Sequence, residues 1–225
     1  MIERDYIMRM ISMLATFLAR ALLMKRARDF PHALTELDQA GRTLVGVDSQ
    51  MVALLSAEQL MSLFGSDTSL ALPKAYVLGV LLQEQAEVLR QTAAVDEARR
   101  VLQKALHLLT ATYLDARGPI DEAHPRQIQD AIRDAGDGPL PPPLLVLLVR
   151  YWTMAGRFDR AENVLFELLE LDVSSVTFAE SFYRGLLAKS DADLEAGCLP
   201  RAEIETGLME LVQYRSVRRD FTSDQ

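Results

Sequence analysis

Residues 144–172 read LLVLLVRYWTMAGRFDRAENVLFELLELD, and this stretch decides the fold class. Its first half sets Leu145, Val149 and Trp152 on one helical face, and its second half does the same with Phe158, Ala161, Leu165 and Leu168. Ala155-Gly156-Arg157 stands between them, where a glycine supplies the left-handed backbone that closes one helix before the next begins. The pattern predicts two antiparallel helices: Phe158 plugs the turn, Ala161 permits close approach, and Leu165 packs into the next layer.

The unit recurs. Phe30-x-x-Ala33-x-x-x-Leu37-x-x-Ala40 follows a helix carrying Phe17, Ala21 and Met24, and Val95-x-x-Ala98-x-x-x-Leu102-x-x-Ala105 follows one carrying Leu82, Ala86 and Leu89. Large, small and large side chains thus line each first helix, although these two units lack the turn glycine. The arrangement resembles the tetratricopeptide repeat, a helical hairpin of about 34 residues that stacks into a superhelix with a concave binding groove. Phe30, Val95 and Phe158 are 65 and 63 residues apart, almost twice that period, so one or two extra helices are expected after each hairpin. Val45, Thr110 and Val173 stand where that family ends its second helix with proline, and the resemblance covers about half the chain. The opening Met1-Ile2-Glu3-Arg4-Asp5-Tyr6-Ile7-Met8-Arg9-Met10-Ile11 is also similar to the start of an uncharacterised bacterial family of helical, tetratricopeptide-like proteins with no assigned activity.

Outward from these units the chain keeps a helical period, with alternating strand patterns essentially missing. Helices are expected over 4–27, 31–45, 49–64, 73–91, 95–114, 125–135, 143–155, 158–172, 175–189 and 200–214. Pro31, Pro73, Pro125, Pro143 and Pro200 stand at or before helix starts, where a missing amide proton is harmless. Gly46, Gly65, Gly136 and Gly156 close segments, and Ser56-Ala57-Glu58-Gln59 has the capping-box spacing that would split the third helix in two. The fold class is therefore all-α, a right-handed superhelix or bundle of hairpins. Its parts are N-terminal hairpins over 1–115, a linker with one weak helix over 116–142, C-terminal hairpins over 143–215 and a disordered tail over 216–225, joined in one continuous domain.

Composition narrows the function. Apolar residues are 49% of the chain and charged ones 25%, the balance of a folded water-soluble protein. A net charge of -8, from 32 acidic and 24 basic residues, repels phosphate backbones, so nucleic acid is not an expected partner. The basic clusters Lys25-Arg26-x-Arg28, Arg99-Arg100 and Arg215-x-x-Arg218-Arg219 read as helix-end and polar-face charges. Cys198 is alone, which excludes an intramolecular disulfide and points to a reducing cytoplasm. Arg9 and Arg20 interrupt the apolar stretch Tyr6–Met24, so no membrane span is expected, and Glu3 and Asp5 spoil a secretory signal.

Catalytic and metal chemistry find little support. His32, His107 and His124 lack a second histidine at metal-ligand spacing, and His124, after Asp121 and Glu122, reads as the polar start of a helix. Asp191-x-Asp193-x-Glu195 imitates half a calcium loop, but Ala196 replaces its turn glycine and Ala202 its closing glutamate, so an acid-rich helix start is expected instead. No nucleophile-elbow, phosphate-loop or dinucleotide motif occurs, so neither a cofactor nor catalysis is expected. The alternative is a helical-bundle enzyme or small-molecule sensor whose site is assembled between distant helices.

What remains is contact with another protein. In the N-terminal helix Ile7, Ile11, Leu14, Leu18 and Ala21 form one apolar line, and Met10, Met13, Phe17 and Met24 a second beside it. A helix with two lines wants two neighbours: both are core, or the methionine-rich one, with Met10, Met13 and Phe17, docks a partner helix or a second copy as a homodimer. Arg150, Tyr151, Trp152 and Tyr183 are the expected anchors near the third hairpin. With Asn163 the only asparagine, a groove gripping extended peptide backbone is hard to build, which favours a folded or helical partner.

Overall fold

The computed structural model describes residues 2–65 and 68–222, which form twelve α-helices and one 3-10 turn, with no strand among the described residues. The helices are α1 Ile2–Arg26, α2 Phe30–Val45, α3 Ser49–Leu54, α4 Ala57–Ser62, α5 Thr68–Gln91, α6 Val95–Asp115, α7 His124–Ala135, α8 Pro142–Met154, α9 Phe158–Leu171, α10 Val176–Leu187, α11 Asp191–Ala196 and α12 Arg201–Thr222, with the 3-10 turn at Val173–Ser175. Two compact units divide the chain, Met1–Pro139 and Leu140–Gln225.

The three hairpins α1–α2, α5–α6 and α8–α9 are closed by one device. Arg28, Ala93 and Gly156 adopt positive φ of 59°, 61° and 69°, each two residues ahead of the second helix. The next amide then reaches back over the turn: Asp29 N–H donates to Met24 O at 2.9 Å, Ala94 to Leu89 at 3.2 Å and Arg157 to Trp152 at 2.9 Å. This Schellman closure satisfies helix-end carbonyls. Glycine does it without strain in the third hairpin, whereas Arg28 and Ala93 bear the crowding of Cβ against backbone.

The small residues are interior. Ala33 and Ala161 are fully buried and Ala98 nearly so, as are Leu37, Leu102 and Leu165 four residues on. Plugging is uneven. Phe158 is buried and Phe30 half-buried, but Val95 is 57% exposed, lining an open cleft instead of closing its turn.

In the first unit α5 and α6 form the central hairpin, α1 and α2 pack on α5, and α7 lies on α6. Extra helices follow each of the first two hairpins, α3 and α4 after one and α7 after the other, which accounts for the long spacing. Ser56 splits α3 from α4 by a reciprocal capping box: its Oγ accepts from Gln59 N at 3.2 Å, and its amide donates to Gln59 Oε1 at 2.8 Å. The stretch expected as a linker is largely a packed part of this unit, since His124, Ile128 and Ala131 of α7 are buried.

Pro73 does not start its helix. It lies inside α5, which begins at Thr68, so its missing amide forfeits a bond in the second turn. Burial of Ala71, Leu72, Ala75 and Tyr76 around it offsets that loss.

In the second unit α8 packs on α9 and α10 on α12. Phe158 sits against Gly197, where an added Cβ would fall 2.2 Å from its ring, and the Asp159 amide donates to Gly197 O at 3.1 Å. Ser190 caps α11 by accepting from Asp193 N at 3.2 Å, so the calcium-like acidic run is a helix start. Much of the expected tail is helical, since α12 continues to Thr222; 223–225 lie outside the described residues.

Candidate functional site

Among the described residues, α1 carries more exposed large hydrophobic side chains than any other helix. Five of the twelve exposed large hydrophobic residues among those described, Tyr6, Met8, Met13, Leu22 and Leu23, lie on it, with Leu23 at 64% and Met8 at 61%. Its inner line, Met10, Leu14 and Ala21, is buried where α1 meets α2 and α5. Polar pins hold it there: Arg20 Nη1 lies 3.3 Å from Glu36 Oε1 and Lys25 Nζ 2.9 Å from Glu84 Oε2. Ile7, Ile11, Leu18 and Met24 are half-buried at the margins.

The two apolar lines of α1 are thus divided differently from the sequence pattern. Met10, expected at a docking face, is 3% exposed and packs in the core, because α2 and α5 meet the helix between the two lines. Met13 is exposed, and Phe17 is half-buried with the Arg20 guanidinium 5.9 Å from its ring centre. Met8, Ala15, Ala19, Leu22 and Leu23 are exposed and were missed. The signal for Met8, Ala15 and Leu22 was a further line, Met8, Ile11, Ala15, Leu18 and Leu22, at alternating steps of three and four.

By length and composition α1 is also the one helix among the described residues apolar enough to cross a membrane, over Asp5–Arg26, with a mean hydropathy of 1.6. Arg9 and Arg20 both lie within that stretch, with ten uncharged residues between them.

In the second unit the expected anchors are separated. Arg150 is exposed, 5.8 Å from the Phe178 ring centre, whereas Tyr151 and Trp152 are buried with rings 5.0 Å apart. Trp152 also receives the Arg160 guanidinium at 4.7 Å. Tyr183 is buried on α10, its hydroxyl donating to Glu162 Oε1 at 2.8 Å, and a Cβ on Gly207 would meet that hydroxyl at 2.7 Å. Burial pushes both Tyr183 and Glu162 up in pKa. Tyr151, Trp152 and Tyr183 therefore contribute packing here, and Arg150 is the member of the set that faces outward.

Two polar features lie in the first unit. A cluster joins α5, α6 and α7: the Tyr76 hydroxyl is 2.7 Å from both Asp121 Oδ2 and Gln127 Oε1. His124 beside it is buried, with Nδ1 accepting from Ile120 N at 3.1 Å and Nε2 donating to Leu109 O at 2.8 Å. Both ring nitrogens are used by the neutral imidazole, and burial holds its pKa below the ordinary histidine value. Asp121 Oδ1 also accepts from the Ala123 and His124 amides at 2.9 and 3.0 Å, the polar helix start expected there. The second feature is a cleft of about 110 Å³ lined by Ala86, Arg90, Val95, Arg99, Leu102 and Asp134, in which Arg90 is paired with Glu87 and Asp134. No group of three or more histidine, cysteine, aspartate or glutamate side chains is placed to hold a metal ion among the described residues.

A model described as a family of unknown function (DUF6483) matches residues 1–216. No curated protein and no solved structure matches the chain.

Proposed function

We propose that this chain, which belongs to DUF6483, a family of unknown function, is a non-catalytic docking module that binds another protein through the outer surface of α1. The observation that carries the reading is the concentration of Tyr6, Met8, Met13, Leu22 and Leu23 on one helix whose opposite face is anchored in the core. An exposed apolar band on a rigid support is what an interface requires, and methionine adapts to varied partner shapes. The repeated hairpin closure supports a tetratricopeptide-like scaffold, in which paired helices hold such a surface in place.

Affinity capture from a lysate of the native host, with wild-type chain and a Met13→Glu/Leu23→Glu variant in parallel, tests this. Both substituted positions are exposed, so the fold should survive, and the variant is expected to lose the captured protein. Equal capture by both would sink α1 as the docking surface. A second reading, a small-molecule sensor, is favoured by the cleft beside Arg90 and Arg99, and it predicts a metabolite bound to the purified chain in native mass spectrometry.

A further inference from the structure

We propose that α1 pairs antiparallel with α1 of a second copy of this chain, about a two-fold axis at Ala15; the inference rests on reading α1 as a docking surface. Met8, Ile11, Ala15, Leu18 and Leu22 follow the three-four spacing of a coiled-coil seam, and none of them is fully buried. The line is self-complementary. Met8 and Leu22 each stand seven residues from Ala15, which is exposed at the middle of the line. A two-fold contact needs one patch that fits itself. Rotation about Ala15 sets alanine against alanine where the helix axes come closest and Met8 against Leu22 of the second copy at either end.

Charge selects the direction. Asp5 lies near the start of α1, and Lys25 and Arg26 form its last turn. Lys25 is held by Glu84 of its own copy, so antiparallel pairing brings Asp5 near Arg26, the exposed cation of that turn, and opposes the two macrodipoles, whereas parallel pairing aligns them. A membrane surface is less well matched. The chain carries a net charge of -8, and Ser12, Thr16 and an Arg9–Asp5 pair at 3.4 Å stand where an interfacial helix presents rows of lysine and arginine. A 25-residue helix offers a strip about 37 Å long and about 10 Å wide, roughly 370 Å² per copy and below a standard interface, so the pair is weak and forms in a concentration-dependent way.

Sedimentation equilibrium and disulfide trapping, both in a Cys198→Ser background, test the proposal. The chain is expected to shift from monomer to dimer as its concentration rises, while Ala15→Glu stays monomeric with an unchanged helical circular dichroism spectrum. Under oxidation, Met8→Cys mixed with Leu22→Cys should form a mixed disulfide, and Met8→Cys alone should form none. A monomer at every concentration overturns the pairing. So does self-crosslinking of Met8→Cys, which means parallel helices, or co-sedimentation of monomeric chain with neutral phosphatidylcholine vesicles. A chain that stays monomeric yet loses a captured protein on Met13→Glu/Leu23→Glu overturns the self-pairing and keeps the docking surface; one that loses nothing overturns both.

Discussion

The Tyr76 hydroxyl lies 2.7 Å from the Asp121 carboxylate, joining α5 to the loop that starts α7 across 45 residues of chain. Gln127 Oε1 is equally near, so the single hydroxyl proton has two acceptors within reach. Asp121 spends its other oxygen on the Ala123 and His124 amides, so one carboxylate fixes both the strut and the cap. Replacing Tyr76 by Phe leaves the ring in place and removes the strut. We expect a loss of about 1–2 kcal/mol in urea unfolding, and an unchanged midpoint would show that the bond adds nothing net.

Protonation of His124 should loosen the same region. Above pH of about 6.5 the imidazole is neutral in both folded and unfolded chains. Below it the unfolded chain takes up a proton that the buried ring, with its depressed pKa, refuses, so stability falls as pH drops from there toward the folded value. His107, also buried and depressed, adds to the slope in the same direction. Denaturation midpoints measured from pH 7.5 to 5.5 should decline in the wild type and less steeply in His124→Gln; parallel slopes would remove His124 as the cause.

The shared turn makes reciprocal predictions. Ala93→Gly relieves a left-handed alanine and should stabilise by up to about 1 kcal/mol, after the greater freedom of glycine in the unfolded chain is discounted. Gly156→Ala should destabilise by about 1 kcal/mol, since φ there is 69°. Thermal melts of both variants moving in the same direction would mean that the turns are not equivalent.

Gly197 and Gly185 separate packing from propensity. Alanine at 197 drives a methyl into the Phe158 ring and should destabilise by about 1–3 kcal/mol, whereas at 185, inside α10, nothing lies within 4 Å and alanine should stabilise by about 0.5–1 kcal/mol. A tolerated Gly197→Ala, judged by the melting midpoint, would deny the close approach of Phe158.

Much of the fold was legible because hairpin packing writes itself into local spacing. Ala33, Ala98 and Ala161 recur at one offset and are all interior. The turn was legible only at Gly156, because Arg28 and Ala93 adopt the same backbone without a residue type that announces it. His124 read as a helix start and is one, but its burial depends on Tyr76 and Leu109, which the fold brings together from α5 and α6. On α1 the sequence offered several apolar lines and no means of ranking them. Packing by α2 and α5 took Met10, Leu14 and Ala21, leaving Met8, Ala15 and Leu22 outside.

The most direct test of α1 as the contact surface is amide hydrogen exchange along the chain, alone and in its captured assembly. The account predicts slowed exchange centred on Met8 to Leu23, with the rest of the first unit unchanged. Unchanged exchange in α1, with slowing instead around Gln83–Arg90 and Asp134–Ala135 at the cleft, would contradict it.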